Sequence, residues 1–347
     1  MRKKPKPTPR YRLRNWREYN TALVQRGSLT LWCDAAALAG WVVRARTGRR
    51  GRAPTYSDRA ITCMLTLRAV YHLPLRATVG LVRSVLQLLG HHELPVAAPA
   101  TLSRRARTLA VALPVRPPHG PVHLVVDATG LKLYGEGEWK VRQHGAATRR
   151  TWCKLHLAVD AATGELHALA VTRPDAGDGA TVPALLAQVT APLAQVTGDG
   201  AYATRVAYGA VAARPEQPRA VFPPRRERRA PRPPRPDPGH PRAPGRRQNC
   251  GYRNRLWQHG NCRAPRLDRD EHVRAIRRVG RAQWKRDVGY HRRSLVETAV
   301  FRLKQLFGPH LSARTRAGQT TEARLRGVAL NRMTHLGMPD SYRCETA

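Results

Sequence analysis

The sequence predicts an α+β fold with a mixed α/β sheet in the middle of the chain. Three observations carry this prediction. Apolar residues recur at helical spacing from residue 28 to about 113, short apolar runs separated by glycine follow Pro121, and helical spacing returns near residue 270. Helices, then successive strands, then alternating helix and strand is the order expected of α+β architecture.

The N-terminal part is predicted to be a basic arm followed by helices. Residues 1–27 form the arm, because residues 1 to 18 hold eight Lys or Arg and the prolines Pro5, Pro7 and Pro9 disfavour regular structure. Residues 28–115 form the helical region. Its predicted helices cover 31–46, 57–71, 76–89 and a stretch that begins at Thr101.

The last of these helices carries Arg104, Arg105 and Arg107 near its start. Two interpretations remain open for it. It is the recognition helix of a helix-turn-helix that enters a DNA groove, or it is a solvated, arginine-rich face of a small bundle.

Residues 121–223 are predicted to form the first part of the sheet domain. Asp160 ends one strand, and the turn from it to Gly164 predicts a hairpin. The predicted strands cover 122–126, 131–134, 151–160, 165–172, 194–197 and 220–222, and the predicted helices cover 181–189 and 205–213.

A proline- and arginine-rich insertion is predicted at 224–265, since residues 215 to 244 hold 11 of the 28 prolines. Helices over 266–340 complete the domain. One of them covers 292–307 and ends at Gly308-Pro309, and another covers 321–336.

The charge balance points to nucleic acid as the partner. The chain has 62 Lys and Arg against 23 Asp and Glu, a formal charge of +39, and contacts from basic residues to phosphates release condensed counterions. A metabolic enzyme with small anionic substrates has no need of this excess. No apolar run is long enough to span a membrane, and the N-terminus has no signal-peptide core. We therefore expect a soluble, intracellular protein.

The cysteines are scattered and fit reduced thiols. A zinc site is disfavoured, because the spacing of its potential ligands matches no standard finger. Those ligands are Cys250, His259, Cys262 and His272.

Three acidic residues are candidates for chemistry. Asp127 and Asp199 each follow an apolar strand, and Glu297 lies one turn into a helix within basic surroundings. Carboxylates placed among phosphate-binding residues suit divalent cations, which assist phosphoryl displacement. The alternative is that Asp127 and Asp199 cap turns and that Glu297 pairs with Arg293 or Arg302. Glu136 and Glu138, in a glycine-rich loop, are either supporting groups or solvated acids.

A family resemblance begins at the C-terminal helix, where Tyr290, Arg293, Glu297 and Lys304 form the pattern Tyr-x2-Arg-x3-Glu-x6-Lys. This pattern resembles the signature of bacterial insertion-sequence transposases of the DDE type. Further short motifs, in order along nearly the whole chain, resemble those of the insertion-sequence five family within the insertion-sequence four superfamily. They are Asn-Trp-Arg-Glu-Tyr-Asn (15–20), Gln-Arg-Gly-Ser-Leu-Thr (25–30), Tyr-Gly-Glu-Gly-Glu-Trp-Lys (134–140), Gly-Asp-Gly-Ala-Tyr (198–202), Leu-Trp-Gln-His-Gly-Asn (256–261), Gly-Tyr-His-Arg-Arg-Ser-Leu (289–295) and Ala-Leu-Asn-Arg-Met (329–333).

The resemblance implies an RNase H-like catalytic core, with an insertion before the last catalytic helix and a helical N-terminal region that binds the DNA ends. It implies that Asp127, Asp199 and Glu297 hold two Mg²⁺ ions, with Mn²⁺ as the alternative. Tyr290, Arg293 and Lys304 are the implied phosphate contacts.

The implied activity is strand cleavage at transposon ends followed by strand transfer into target DNA. The implied partners are double-stranded DNA, both terminal inverted repeats and target, and further copies of the chain in a homodimer or larger assembly on DNA. The implied location is the bacterial cytoplasm, at the nucleoid.

The sequence departs from the family pattern at Ala128 and Ala203, neither of which is an implied metal ligand, and over 227–255. That additional segment is a loop expansion, an extra phosphate-binding segment, or frameshifted sequence in a decaying element. Two other functions therefore stay open. One is a DNA-binding protein without catalysis, a relic or a repressor, and the other is an RNase H-like nuclease or resolvase.

Overall fold

A computed structural model describes residues 11–43, 55–133, 152–224 and 268–344 of the chain. The start of the predicted arm lies outside the described residues. The rest of that segment contains a strand at Tyr11–Leu13 and a helix at Trp16–Gln25, so the prediction that helices begin only at residue 28 is wrong. Outside the described residues also lie Glu136, Glu138, most of the predicted insertion, and the potential zinc ligands Cys250, His259 and Cys262. The chain divides into two units, one made of 1–114 with 305–347 and the other of 115–304.

The elements follow one another as helices, then strands with helices between them, then helices. The described helices are α1 (Trp16–Gln25), α2 (Leu29–Trp32), α3 (Ala35–Ala39), α4 (Asp58–Val70), α5 (Leu75–Leu88), α6 (Pro99–Arg105), α7 (Asp178–Leu186), α8 (Arg205–Ala212), α9 (Asp268–Asp287), α10 (Ser294–Phe307) and α11 (Arg316–Leu336), with a 3₁₀ turn at Tyr290–Arg293. The described strands are β1 (Tyr11–Leu13), β2 (Val122–Leu133), β3 (Trp152–Asp160), β4 (Leu166–Thr172), β5 (Leu193–Thr197), β6 (Arg219–Val221), β7 (His310–Leu311) and β8 (Ser341–Arg343).

In the helical unit, α4 packs against α11. Its core includes Trp32, Ile61 and Met64, all of which are buried. The two ends of the chain are joined, since β1 pairs antiparallel with β8. Arg332 of α11 donates to the carbonyl oxygen of Leu31 at 2.9 Å, which ties the last helix to the first ones.

The single helix predicted over 31–46 is wrong. The Asp34 carboxylate accepts from the amide of Ala37 at 2.8 Å, so it starts a new helix where the predicted one should continue. That helix then ends at Gly40. The helices predicted over 57–71 and 76–89 are confirmed as α4 and α5, with Ser57 as the N-cap of α4.

The second unit contains a mixed sheet with the strand order β4-β3-β2-β5-β6. The pairs β2–β3 and β3–β4 are antiparallel, whereas the pairs β2–β5 and β5–β6 are parallel. The predicted mixed sheet is therefore confirmed. One face of it, including Leu124 and Val126, packs in a core with Val182 of α7 and Val211 of α8.

Two strands predicted over 122–126 and 131–134 are one continuous strand, β2, which corrects the prediction. The hairpin predicted at Asp160 is confirmed. The Asp160 carboxylate accepts from the amides of Ala162 and Thr163, and Gly164 has a φ of +73°.

The edge strand β6 is covered by α9. The indole of Trp284 donates to Nδ1 of His272 at 3.3 Å, so Nε2 of the same ring carries the proton that goes to the Ala220 oxygen at 2.7 Å. Burial lowers the pKa of His272 and keeps the ring neutral. His272 thus anchors a helix to the sheet.

Candidate functional site

Parallel pairing brings Asp127 and Asp199 together at the carboxyl end of β5. Asp127 does not end its strand, as the sequence predicts, but lies in the middle of β2, because β2 continues to Leu133 in its pairing with β3. Val125 of β2 is in register with Thr197 of β5, and each aspartate follows its strand partner by two residues. The carboxyl ends of parallel strands are where open α/β sheets bind their ligands. Side chains alternate along a strand, so Asp127 lies on the face opposite Val126 and the core with α7 and α8.

Gly198 permits this close approach. A Cβ added at Gly198 would lie 2.9 Å from a methyl group of Val126 and 3.0 Å from the Tyr202 ring. Any other residue would therefore push the turn that carries Asp199 away from β2.

Each aspartate is held by a local backbone amide. Oδ1 of Asp127 accepts from the amide of Ala128 at 2.9 Å, and Oδ1 of Asp199 accepts from that of Ala201 at 2.8 Å. These are contacts of the turn-capping kind that the alternative interpretation predicts. Each of these contacts uses the Oδ1 atom of the carboxylate.

Arg293 connects two of the three acids. It ends the 3₁₀ turn that follows Gly289, whose φ is +63°. Nη2 of Arg293 donates to Oδ2 of Asp127 at 3.3 Å. Nη1 lies 2.9 Å from Oε1 of Glu297 in an ion pair. The ion pair expected between Glu297 and Arg293 is therefore present, and the same guanidinium also contacts Asp127.

The charges of the three acids act on one another. Burial raises the pKa of Asp127 and the charges of Asp199 and Glu297 raise it further, against the Ala128 amide and Arg293, which lower it. For Arg293, burial lowers the pKa, but Asp127, Tyr290, Glu297 and Asp199 outweigh it and the pKa is raised. The guanidinium stays charged at the centre of the acids.

The donor set has the chemistry of a divalent-cation site but not its arrangement. Three carboxylates are the hard oxygen ligands that Mg²⁺ and Mn²⁺ prefer. Within the described ranges, however, no group of three or more His, Cys, Asp or Glu side chains is close enough to hold a metal ion. Asp127 and Glu297 are arranged around a guanidinium instead.

Comparison with known families decides what kind of protein carries this site. The family model of a transposase DDE domain matches residues 118–332, more than half of the chain, and a second transposase DDE-domain model matches residues 24–136. The chain belongs to the DDE transposase family. No solved structure matches it.

Membership in the family implies a general activity. DDE transposases act on DNA as polynucleotidyl transferases or endonucleases and generally use divalent metal ions. The mixed sheet of this DDE transposase is consistent with an RNase H-like domain. Among the helices described, none is long and apolar enough to cross a membrane.

Tyr290 lies beside the acids of this DDE transposase. Its ring is 6.1 Å from that of Trp284, and Nζ of Lys285 lies 5.0 Å from its centroid. Burial raises the pKa of the Tyr290 phenol, and Arg293 opposes the shift. Lys304 lies on α10 seven residues after Glu297, which places both on one face of that helix.

The other arginines expected to bind DNA lie at or just after the end of α6, in the helical unit. The prediction that they lie near the start of a helix is wrong, because α6 begins at Pro99 and ends at Arg105, and Arg107 lies in the turn that follows. Arg105 is already engaged, because it donates to the Tyr56 oxygen at 3.1 Å and forms an ion pair with Asp58. Arg104 and Arg107 are exposed.

Sequence reasoning missed a second polar cluster in the sheet unit of this DDE transposase. Asp178, in the first turn of α7, pairs with Lys154 of β3 at 3.0 Å. Its charge also raises the pKa of the buried Tyr202. The only sequence signal is an acid at the start of a helix after Gly177, a common capping pattern that does not reveal its partners.

Proposed function

We propose that this DDE transposase belongs to the insertion-sequence five family and that it cleaves transposon ends and joins them to target DNA. The observation that carries the proposal is that Asp127 and Glu297 form ion pairs with the single guanidinium of Arg293, whose positive charge Asp199 also stabilises. A structural role for any one acid does not require all three to surround the same cation.

Asp127, Asp199 and Glu297 would hold two Mg²⁺ ions, with Mn²⁺ as the alternative. Bound ions supply Lewis acidity that lowers the pKa of an attacking water or 3′-hydroxyl and stabilises the leaving oxygen. The two aspartates are fixed by the sheet and by their amide contacts, so they define the position of the site. Glu297, whose side chain is 54% exposed, completes it from α10.

The proposed DNA contacts are basic or aromatic groups around these acids. Tyr290, Arg293 and Lys304 would contact phosphates next to the cleaved bond, since all three lie in or beside the 3₁₀ turn and α10. Arg104 on α6 and Arg107 in the turn after it are exposed for phosphate contact. Arg105 would act mainly by holding the helix in place.

We further propose that the protein acts at the nucleoid in the bacterial cytoplasm, as a homodimer or larger assembly. Two transposon ends and a target must be brought together, which one site cannot do alone. The formal charge of +39 supports binding to several DNA segments at once.

The test uses the full chain and a plasmid that carries the DNA flanking its gene. We expect cleavage or joining at inverted repeats only with Mg²⁺ or Mn²⁺, and a loss of at least about 100-fold in Asp127→Asn, Asp199→Asn and Glu297→Gln. Asp175→Asn is the matched control, because Asp175 is 74% exposed in a pair with Arg173. It should cleave normally.

Three results would contradict the proposal. Cleavage unchanged by Asp127→Asn would place the chemistry elsewhere. Salt-sensitive binding to the repeats with no metal-dependent product would indicate a DNA-binding protein without catalysis. Preference for branched or hybrid substrates over the repeats would indicate a nuclease or resolvase.

A further inference from the structure

The guanidinium of Arg293 occupies oxygens that the proposed metal site requires. Oδ1 of Asp127 accepts from the Ala128 amide and Oδ2 accepts from Arg293, so both oxygens of this acid are engaged. Arg293 also forms an ion pair with Oε1 of Glu297. A cation that binds both acids therefore competes with the guanidinium for the same atoms.

Electrostatic repulsion opposes the binding of a divalent metal ion while the Arg293 guanidinium occupies the same site. Arg293 has a side chain only 25% exposed, and its positive charge is stabilised by the three acids that a divalent ion would use. Like charges repel more strongly where water is partly excluded. The guanidinium must leave Asp127 and Glu297 before an ion can bind them well.

A DNA phosphate can replace the carboxylates of Asp127 and Glu297 as the partner of the Arg293 guanidinium. The planar fork of arginine binds phosphate and carboxylate oxygens with the same geometry, and the basic surroundings of the site attract DNA. Exchanging a carboxylate for a phosphate keeps Arg293 paired and frees the acids.

We propose that Arg293 couples metal loading to DNA binding: it blocks the acids in the free protein and releases them when a DNA phosphate becomes its partner. This inference rests on the proposed function. Because coupling between two binding sites is reciprocal, a divalent ion also strengthens the contact of Arg293 with DNA. Arg293 is thus a positioning residue that keeps the enzyme poorly loaded with metal away from its substrate.

The test measures Mn²⁺ affinity by electron paramagnetic resonance on the full chain, with and without a short duplex of the flanking DNA blocked against cleavage by phosphorothioate linkages. For the unaltered protein we expect DNA to raise Mn²⁺ affinity at least about 5-fold. Arg293→Met should bind Mn²⁺ at least about 5-fold more tightly than the unaltered protein without DNA. DNA should then add less than about 2-fold.

Arg292→Met is the matched control. Arg292 is exposed, and it carries the same charge one residue earlier. This variant should keep the DNA effect of the unaltered protein. Arg293→Lys, which keeps the charge but cannot bridge two carboxylates with a planar fork, should fall between the unaltered protein and Arg293→Met, and it provides the test if Arg293→Met does not fold.

The inference is overturned if Arg293→Met, or Arg293→Lys in its place, binds Mn²⁺ no more tightly than the unaltered protein without DNA. It is also overturned if DNA raises the affinity of that variant as much as before. Asp127→Asn separates this failure from that of the proposed function. If Asp127→Asn leaves Mn²⁺ affinity unchanged, the metal site itself is wrong, whereas a loss in Asp127→Asn with no effect at Arg293 rejects only the coupling.

Discussion

Tyr202 and Tyr208 are both fully buried in the sheet unit, but their hydroxyl groups differ in what they contact. The hydroxyl of Tyr208 donates to the Phe222 oxygen at 2.7 Å. That of Tyr202 has no hydrogen-bond partner among the described residues. A buried donor without a partner costs stability, whereas a buried bonded pair contributes to it.

Replacing each tyrosine by phenylalanine should therefore change the stability in opposite directions. We expect Tyr208→Phe to lower the free energy of unfolding by about 1–2 kcal/mol, because it leaves the Phe222 carbonyl unpaired. Tyr202→Phe should raise it by up to about 1 kcal/mol. Denaturant unfolding at neutral pH measures both, and a fall of similar size in Tyr202→Phe would mean that its hydroxyl is bonded in solution.

His123 provides a test of stability against pH. Its Nε2 accepts from the Gln195 amide at 3.1 Å and lies 2.9 Å from the Thr197 hydroxyl. Burial, together with the charges of Arg292 and His291 and against the charge of Asp160, lowers its pKa to about 4. The folded protein therefore keeps this ring neutral at a pH where the unfolded chain takes up a proton.

The sign of the effect follows from that difference. Between the unfolded pKa of about 6.5 and the folded pKa of about 4, the unfolded state binds more protons, so the free energy of unfolding falls as the pH falls. His123→Asn should make this fall shallower. It should not abolish it, because burial also lowers the pKa of His156, His167 and His272. Urea unfolding at several pH values checks the slope, and an unchanged slope in the variant contradicts the prediction.

At the scale of the element, α10 has one buried and one exposed face. Val296, Ala299, Leu303 and Phe307 are buried, whereas Phe301 is 61% exposed between Glu297 and Lys304 along the helix. Leu303→Ala should lower the free energy of unfolding by about 2–5 kcal/mol, because it leaves a cavity. Phe301→Ala is the control and should change it by less than about 0.5 kcal/mol. Denaturant unfolding of both variants distinguishes the faces, and a large loss in Phe301→Ala would show that this face is covered in solution.

The element whose observed structure differs most from the sequence-based prediction is β2. Asp127-Ala-Thr-Gly130 has the composition of a turn, which is why the sequence predicts two strands there. Pairing with β3 overrides that local signal, since Gly130 lies opposite Lys154 in continuous register. The ring of Trp152 covers Gly130, so that a Cβ there would lie 3.2 Å from it. Contacts between residues so far apart along the chain produce no periodic pattern in the sequence, so the continuous strand could not be predicted from it.

In the candidate site too, features that depend on neighbouring residues were predictable from the sequence, whereas contacts between distant residues were not. The apolar runs before Asp127 and Asp199 and the helical spacing around Glu297 are local signals, and they suffice to nominate the three acids, although Asp127 lies inside its strand and not at its end. The pairing of Arg293 with Glu297, four residues apart on a helix, is also legible in the sequence. Its contact with Asp127 is not, because it depends on how the 3₁₀ turn lies beside β2. Whether these acids hold metal stays a prediction.

At the scale of the whole molecule, the excess charge is spread over both units, so DNA contacts are expected on each. Lys304 lies in the sheet unit and Arg104 in the helical unit, and both would contribute one phosphate contact. Removing one contact should reduce the slope of log affinity against log salt concentration by about 0.9. Lys304→Gln and Arg104→Gln should each do so and leave the unfolding midpoint unchanged.

Arg105→Gln is the control for the measured dependence of DNA affinity on salt concentration. Arg105 is bound to the Tyr56 oxygen and to Asp58, so its loss should lower the free energy of unfolding by about 1 kcal/mol with little change in the salt slope. Fluorescence anisotropy with labelled flanking DNA over a range of salt concentrations gives the slopes. If only Lys304→Gln reduces the slope, the arginines of α6 form a solvated helix face and the DNA is held by the sheet unit. If Arg104→Gln reduces it as well, the helix-turn-helix interpretation gains direct support, because a phosphate contact on α6 requires DNA to reach that helix.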